Sequence, residues 1–156
     1  MTIPIEPLEA VSSESQKLEQ YFTYRIARLN AQLNQQGTRM LGEMCDLTLG
    51  QWRVMAAIGT NSAQTSKQLF DVTKIDPGLI SRLVRQLERA EHLRTERNET
   101  DRRILNVVLT AKGKRLFTKI FPVMANRQNT LCREFSEDEF ETLNRLLDKL
   151  QDAVSA

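Results

Sequence analysis

The sequence predicts a mainly helical fold carrying one short β-hairpin, and three observations lead there. The first is composition. A chain of 156 residues with 40% hydrophobic content but only 6% aromatics, six glycines and four prolines is rich in helix formers and poor in the turn residues of an all-β fold. One domain of this length buries about two-thirds of its unfolded surface. The second is a series of helix starts. Ser13 with Gln16, Thr48 with Gln51, Thr65 with Gln68 and Ser136 with Glu139 fit the capping box, in which a hydroxyl and the N3 side chain satisfy backbone N–H groups left unpaired at a helix start. Asp76 before Pro77 and Thr110 before AKGKRLF are two more. The third is the stretch NETDRRILNVVLT at 98–110, where a polar turn leads into an alternating apolar run.

In chain order, residues 1–12 carry two prolines and little periodicity and read as a flexible tail. A long helix is expected at about 13–45, then helices near 49–60, 66–72 and 77–91. A two-stranded segment follows at 92–109, with NETD as its turn, and helices near 111–133 and 137–153 complete the chain. Pro122 lies inside the fifth helix, where it removes one backbone hydrogen bond and should introduce a kink.

The helix at 77–91 has two dissimilar faces. Leu79, Ile80, Leu83, Val84 and Leu87 follow the spacing of a core stripe. The other face presents Gly78, Ser81, Arg82, Arg85, Gln86 and Arg89, small residues near the helix start followed by cations and groups able to hydrogen-bond base edges. A helix entering a major groove roughly 12 Å wide needs short side chains where it comes closest to the bases. The hairpin that follows holds Arg94, Arg97, Arg102 and Arg103. A cation at the unburied tip of a hairpin gains most if it is buried elsewhere, in the narrow, strongly negative minor groove beside the major groove that the helix reads. Asp101 is placed to hold such an arginine extended through a charge-assisted contact. Charge agrees: residues 74–115 carry eleven Lys and Arg against six Asp and Glu, and the rest of the chain eleven against fourteen. A cationic segment on a mildly acidic body is the electrostatic outline of a polyanion binder.

With these residues in view, the chain resembles the MarR family of winged-helix transcriptional regulators. The segments carrying the resemblance are LTLGQWRVMAAI (47–58), ISRLVRQLERAEHL (80–93) and DRRILNVVLTAKG (101–113), the last matching the family's D-x-R followed by a strand, Leu-Thr and a new helix. The resemblance implies a winged helix-turn-helix, a three-helix core plus a two-stranded β-wing, at residues 47–110 of a single domain spanning 13–156. It also implies long N- and C-terminal dimerisation helices at 13–46 and 111–156. The implied function is a homodimeric regulator, in the usual case a repressor, acting on a roughly palindromic double-stranded DNA operator.

By the same resemblance, Arg103 enters the minor groove, Asp101 orients it and Arg102 is available to phosphate, while Arg97 is a further DNA-binding residue of the wing and Ser66, Lys67 and Lys74 touch the DNA backbone. The apolar residues Leu18, Tyr21, Phe22, Ile26, Leu29 and Leu33, and Phe140, Leu143, Leu146, Leu147 and Leu150, fit the dimer helices, although packing within one chain would use many of them too. Family members are commonly released from DNA by a small phenolic or aromatic acid held between the dimer helices and the winged lobe. Arg28 and Trp52 are candidates for such a pocket, and they fit equally well as a surface residue and a core residue. The chain departs from the family pattern at Glu91, where a glycine usually ends the recognition helix, and at Thr95, where arginine is frequent.

Other functions find less support. Cys45 and Cys132 are far apart with no CxxC spacing and read as plain thiols, with a redox role for Cys45 as an alternative. A single histidine, His92, makes the usual His/Cys metal sites unavailable within one chain, so neither a metal nor a cofactor is expected. No nucleophile–base pair, phosphate-binding glycine loop or metalloprotease motif occurs, which argues against an enzyme. The N-terminus has no signal-peptide pattern and no apolar run approaches roughly 20 residues, so a cytoplasmic protein without membrane contact is expected. A winged-helix module that binds protein or RNA without reading DNA sequence is the other class open at this point.

Overall fold

A computed structural model describes residues 17–155. A 3-10 turn at Leu18–Gln20 leads into α1 (Phe22–Gly42), followed by α2 (Leu49–Gly59), α3 (Ser66–Thr73), α4 (Pro77–Arg89), strands β1 (Leu93–Arg97) and β2 (Leu105–Leu109), α5 (Ala111–Cys132) and α6 (Glu137–Ser155). The first helix is therefore shorter than expected: Tyr21 precedes it with extended backbone and no side-chain cap. The Ser13–Gln16 pair and the tail at 1–12 lie outside the described residues.

The other five starts are formed as expected. Thr48 and Thr65 accept from the backbone N–H of Gln51 and Gln68, whose side chains accept from the cap residues in return. Asp76 Oδ1 accepts from the Leu79 N–H at 3.0 Å, Thr110 Oγ1 from Gly113, and Ser136 and Glu139 bond reciprocally. The Ser136 bonds also lower the pKa of the Glu139 carboxyl. α5 runs through Pro122 as one helix.

The strands pair antiparallel in the register Leu93↔Leu109, Thr95↔Val107 and Arg97↔Leu105. This puts Leu93, Val107 and Leu109 on the face that closes the lobe's core with Val54, Met55, Ile58, Leu69, Ile80, Leu83, Val84 and Leu87. Leu79 is not part of that core. It is 38% exposed because the buried stripe of α4 runs through Ile80, Leu83, Val84 and Leu87, one position further round the helix. A second, smaller core of Leu41, Trp52 and Ile120 joins α1, α2 and α5, with Trp52 stacked on Phe117 at 5.9 Å. Arg53 donates to Asn34 Oδ1, and Arg127 donates to Gln36 Oε1 and to the Leu33 carbonyl, so polar bonds reinforce the same joint.

α4 ends in a Schellman motif: the His92 N–H donates to the Leu87 carbonyl at 2.8 Å and the Glu91 N–H to that of Glu88 at 2.9 Å. Glu91 sits at φ 60° to close it. The left-handed cap is thus retained without glycine, at a cost of roughly 1 kcal/mol for a residue bearing a Cβ. Glu91→Gly is expected to raise stability by about that amount, read from urea midpoints at equal protein concentration. No increase would show that the Lys112 ion pair at 3.6 Å offsets the strain.

Candidate nucleic-acid interface

The solvent face of α4 holds Ser81, Arg82, Arg85 and Gln86, all exposed, with Gly78 exposed in the first turn. A Cβ at Gly78 would lie 3.0 Å from Asp76 Oδ1, the atom that caps α4, so the small residue there protects the helix start. Ser81 Oγ donates to the Pro77 carbonyl, and Gln86 Oε1 accepts from Gln51 Nε2 at 3.3 Å. Gln86 is therefore tethered to α2, while Arg82 and Arg85 have no ion-pair partner among the described residues. Ser66, Lys67 and Lys74 are exposed at the start of α3 and in the turn to α4. Lys74 takes φ 54° as the C-cap of α3, and its Nζ lies 5.6 Å from the centroid of the Phe70 ring.

The wing is fixed to α4 in two ways. The Schellman cap runs directly into β1, and Thr95 Oγ1 bonds Glu88 Oε1 across the angle between helix and strand. Thr95, which stands where arginine is frequent in the family, thus ties the wing to the helix. Because side chains alternate along a strand, Arg97 shares the face of Thr95 and projects on the side of α4. Arg94 projects on the opposite face, where its Nε and Nη2 both bond Glu96 Oε2.

At the tip, Asn98 Oδ1 accepts from the N–H groups of Thr100 and Asp101, and Asp101 Oδ1 accepts from the N–H of Arg103 at 3.0 Å. The role expected of Asp101 changes in kind. It makes no ion pair with Arg102 or Arg103 and instead orders the main chain that carries both exposed arginines. A carboxylate satisfied by a backbone N–H directs the turn without neutralising the cation that the turn presents.

The root of the wing packs on the start of α5. Thr110 Oγ1 donates to the Glu91 carbonyl, Lys112 Nζ to that of Ala90, and Gly113 lies directly against the backbone of His92. His92 Nδ1 is buried there without a hydrogen-bond partner. Burial lowers the His92 pKa, the Lys112 ammonium lowers it further, and the Glu91 carboxylate partly opposes both. A depressed folded-state value means that the unfolded chain binds the proton first. The stability tied to neutral His92 is complete above the ordinary value near 6.5 and is lost as pH falls below it. Wild type is accordingly expected to lose more stability than His92→Gln between pH 7.5 and 5.5, measured by urea denaturation. Equal losses would contradict this.

Of the two residues considered for an effector pocket, Trp52 is 5% exposed within the joint core and Arg28 is exposed on α1. Cys45 is half-buried beside that core, and Cys132 Sγ accepts from Gln128 Nε2 at 3.4 Å. Among the described residues no cluster of three His, Cys, Asp or Glu is placed to hold a metal, and no helix is long and apolar enough to cross a membrane.

The family model described as MarR family matches residues 46–104, the segment that forms α2, α3, α4 and most of the wing. Over that segment, a little over a third of its length, the chain is similar to the MarR family. Among MarR-type relatives, the HTH-type transcriptional regulator MgrA of Staphylococcus aureus is 25% identical over 140 residues, covering 88% of this chain and 92% of that protein. The crystal structure of a MarR/EmrR family transcriptional regulator from Acinetobacter sp. ADP1 superposes with a TM-score of 0.82 at 23% identity, covering 90% of this chain and 99% of the other. Bordetella bronchiseptica BpsR, whose DNA binding is regulated by 6-hydroxynicotinic acid, superposes with a TM-score of 0.75 at 19% identity over 88% of this chain and 98% of its own. The fold is the winged helix of this family, and the relatives are transcriptional regulators rather than enzymes.

Proposed function

We propose that this protein is a MarR-family, sequence-specific, double-stranded DNA-binding transcriptional regulator, a repressor that acts as a homodimer on a palindromic operator and is released by a small aromatic or phenolic acid. The observation that carries the reading is the anchoring of the wing to α4 through Thr95–Glu88 and the Schellman cap, with Arg82, Arg85, Arg97, Arg102 and Arg103 left exposed on the joined elements. A rigid pair of cationic elements suits two adjacent grooves, Arg82 and Arg85 reaching base edges and Arg103 the minor groove. Arg102, Ser66, Lys67 and Lys74 serve the phosphates. Residues 47–110 form the reading lobe, and α1, α5 and α6 carry the dimer face.

Support for the homodimer comes from apolar surface. Leu18, Phe22, Ile26 and Leu29 on the N-terminal side, and Leu146, Leu147, Leu150 and Val154 on α6, are exposed, and α6 buries none of its residues within the chain. A 19-residue helix with an apolar stripe and no intramolecular core needs a partner to cover it. For the effector, BpsR and its nicotinic acid derivative are the supporting likeness.

The test is to select genomic fragments with the purified protein and measure their affinity by fluorescence anisotropy against scrambled duplex and RNA of equal length. A preference for the selected duplex of roughly 10³-fold or more is expected. Equal binding to all three would favour a module that does not read DNA sequence. In the same preparation, Leu147→Asp is expected to sediment as a monomer and lose tight binding.

A further inference from the structure

Hydrogen bonds at the start of α2 fix the direction in which one side chain of α4 presents its polar groups. A backbone N–H can only donate, so the bond from the Thr48 N–H at 2.9 Å identifies the receiving atom of the Gln51 side chain as Oε1. The Gln51 backbone N–H bonds Thr48 Oγ1 in return, and this reciprocal pair holds the Gln51 amide in place. With Oε1 turned to the cap, the other end of that amide is Nε2, which reaches Gln86 at 3.3 Å. Nε2 only donates, so the atom it meets on Gln86 is Oε1. The polarity of both amides thus follows from one main-chain N–H. The two helices are close enough here that a Cβ at Gly50 would lie 3.3 Å from Leu83 Cδ1, which keeps Gln51 within reach of α4.

Gln86 is left with an uneven set of free groups. Its Oε1 is drawn toward α2, and its Nε2, with two N–H donors, has no partner among the described residues. The residue is exposed, one turn beyond Arg82 on α4. A glutamine free at both ends of its amide suits adenine, accepting from the N6 amino group while donating to N7. Guanine presents two acceptors in the major groove, O6 and N7, and no donor. An amide that offers only donors matches guanine and forfeits half of the adenine contact.

We infer that Gln51 is a positioning residue for base recognition: it holds the Gln86 amide with its donors outward, so that Gln86 selects guanine over adenine at one base pair of each half-site. This selectivity rests on the regulator reading above and names the base that the surface selects. Gln51 acts through Gln86 and needs no contact with DNA of its own.

The test uses the full-length protein and duplexes in which each base pair of the selected operator is replaced in turn, with affinities read by fluorescence anisotropy. Gln86→Ala locates the position, because it should lose discrimination at one base pair of the half-site and keep it at the others. There, wild type should bind a G·C pair at least about fivefold more tightly than an A·T pair in the same orientation. Gln51→Glu is the deciding variant. Its carboxylate still accepts from the Thr48 N–H, so the cap of α2 is kept, but it has no donor for Gln86 Oε1 and attracts Gln86 Nε2 instead. The Gln86 amide then turns over, and the preference is expected to reverse in favour of adenine. The added negative charge weakens both duplexes alike and leaves their ratio unaffected. Gln51→Leu, which only releases the amide, should remove the preference for guanine.

An unchanged guanine preference in either Gln51 variant, with the protein still folded, would overturn the inference. So would discrimination intact at every base pair in Gln86→Ala, or a wild-type preference for adenine at the located position. Each of these results, on a protein that still distinguishes its operator from scrambled duplex, removes the role of Gln51 alone. Equal wild-type binding to all duplexes would remove the regulator reading with it.

Discussion

Replacing Arg82 and Arg103 together by alanine is expected to lower affinity for the selected operator by about 2 to 6 kcal/mol, the sum of two losses of about 1 to 3 kcal/mol at separated sites. The two residues stand on different elements, one on the exposed face of α4 and the other at the wing tip, and neither is committed to an ion pair among the described residues. The single variants separate their roles. Arg82→Ala should relax discrimination at one base pair, and Arg103→Ala should weaken sites with narrow minor grooves more than others. Arg102→Ala, in contrast, should weaken all duplexes alike and reduce the salt slope by about one unit. Anisotropy titrations across a salt series read all three. A double variant that binds as tightly as wild type, while still folded and dimeric, would remove both residues from the interface.

The second large effect concerns the joint that aims the wing. Gly113 stands in the first turn of α5 directly against the carbonyl of His92, and a Cβ there would overlap that oxygen. Backbone cannot move aside as a side-chain end can. Gly113→Ala therefore has to separate α5 from the root of the wing, breaking Thr110 Oγ1 to the Glu91 carbonyl and Lys112 Nζ to that of Ala90. A loss of about 3 kcal/mol is expected, at the upper end of what overpacking costs. Urea denaturation measures it, and a change below about 0.5 kcal/mol would show that the junction yields. Gly42→Ala is the matched control, because a Cβ there meets nothing within 4 Å.

Local signals in the sequence were read well and tertiary ones less so, for physical reasons. Capping pairs such as Thr48 with Gln51 and Thr65 with Gln68 act within one turn, so their spacing alone marks the helix starts. The start of α4 at Asp76 and the polar turn at the tip of the hairpin were legible for the same reason. The outward tilt of Leu79 was not, because the lobe's core selects which neighbouring stripe of α4 is buried. Glu91 was read as a break in the usual cap, yet the fold imposes the left-handed conformation on it and holds its carbonyl through Thr110.

Asp101 was assigned a side-chain partner because adjacency in sequence favours ion pairs with Arg102 and Arg103. In the folded turn Asp101 Oδ1 instead accepts from the Arg103 N–H at 3.0 Å, and no guanidinium nitrogen lies within ion-pair distance of it. The bond between Gln51 and Gln86 had no signature at all. It joins residues 35 positions apart, brought together only by the packing of α2 against α4.

Chemical footprinting tests most directly whether helix and wing occupy neighbouring grooves of one duplex. Dimethyl sulfate methylates guanine N7 in the major groove and adenine N3 in the minor groove, so a single reagent reports on both elements. On the selected operator, wild type should protect guanines in one major-groove segment of each half-site and adenines in the adjoining minor groove, and Arg103→Ala should lose only the latter. Guanine protection with every adjoining adenine still reactive in the wild-type complex would contradict the account.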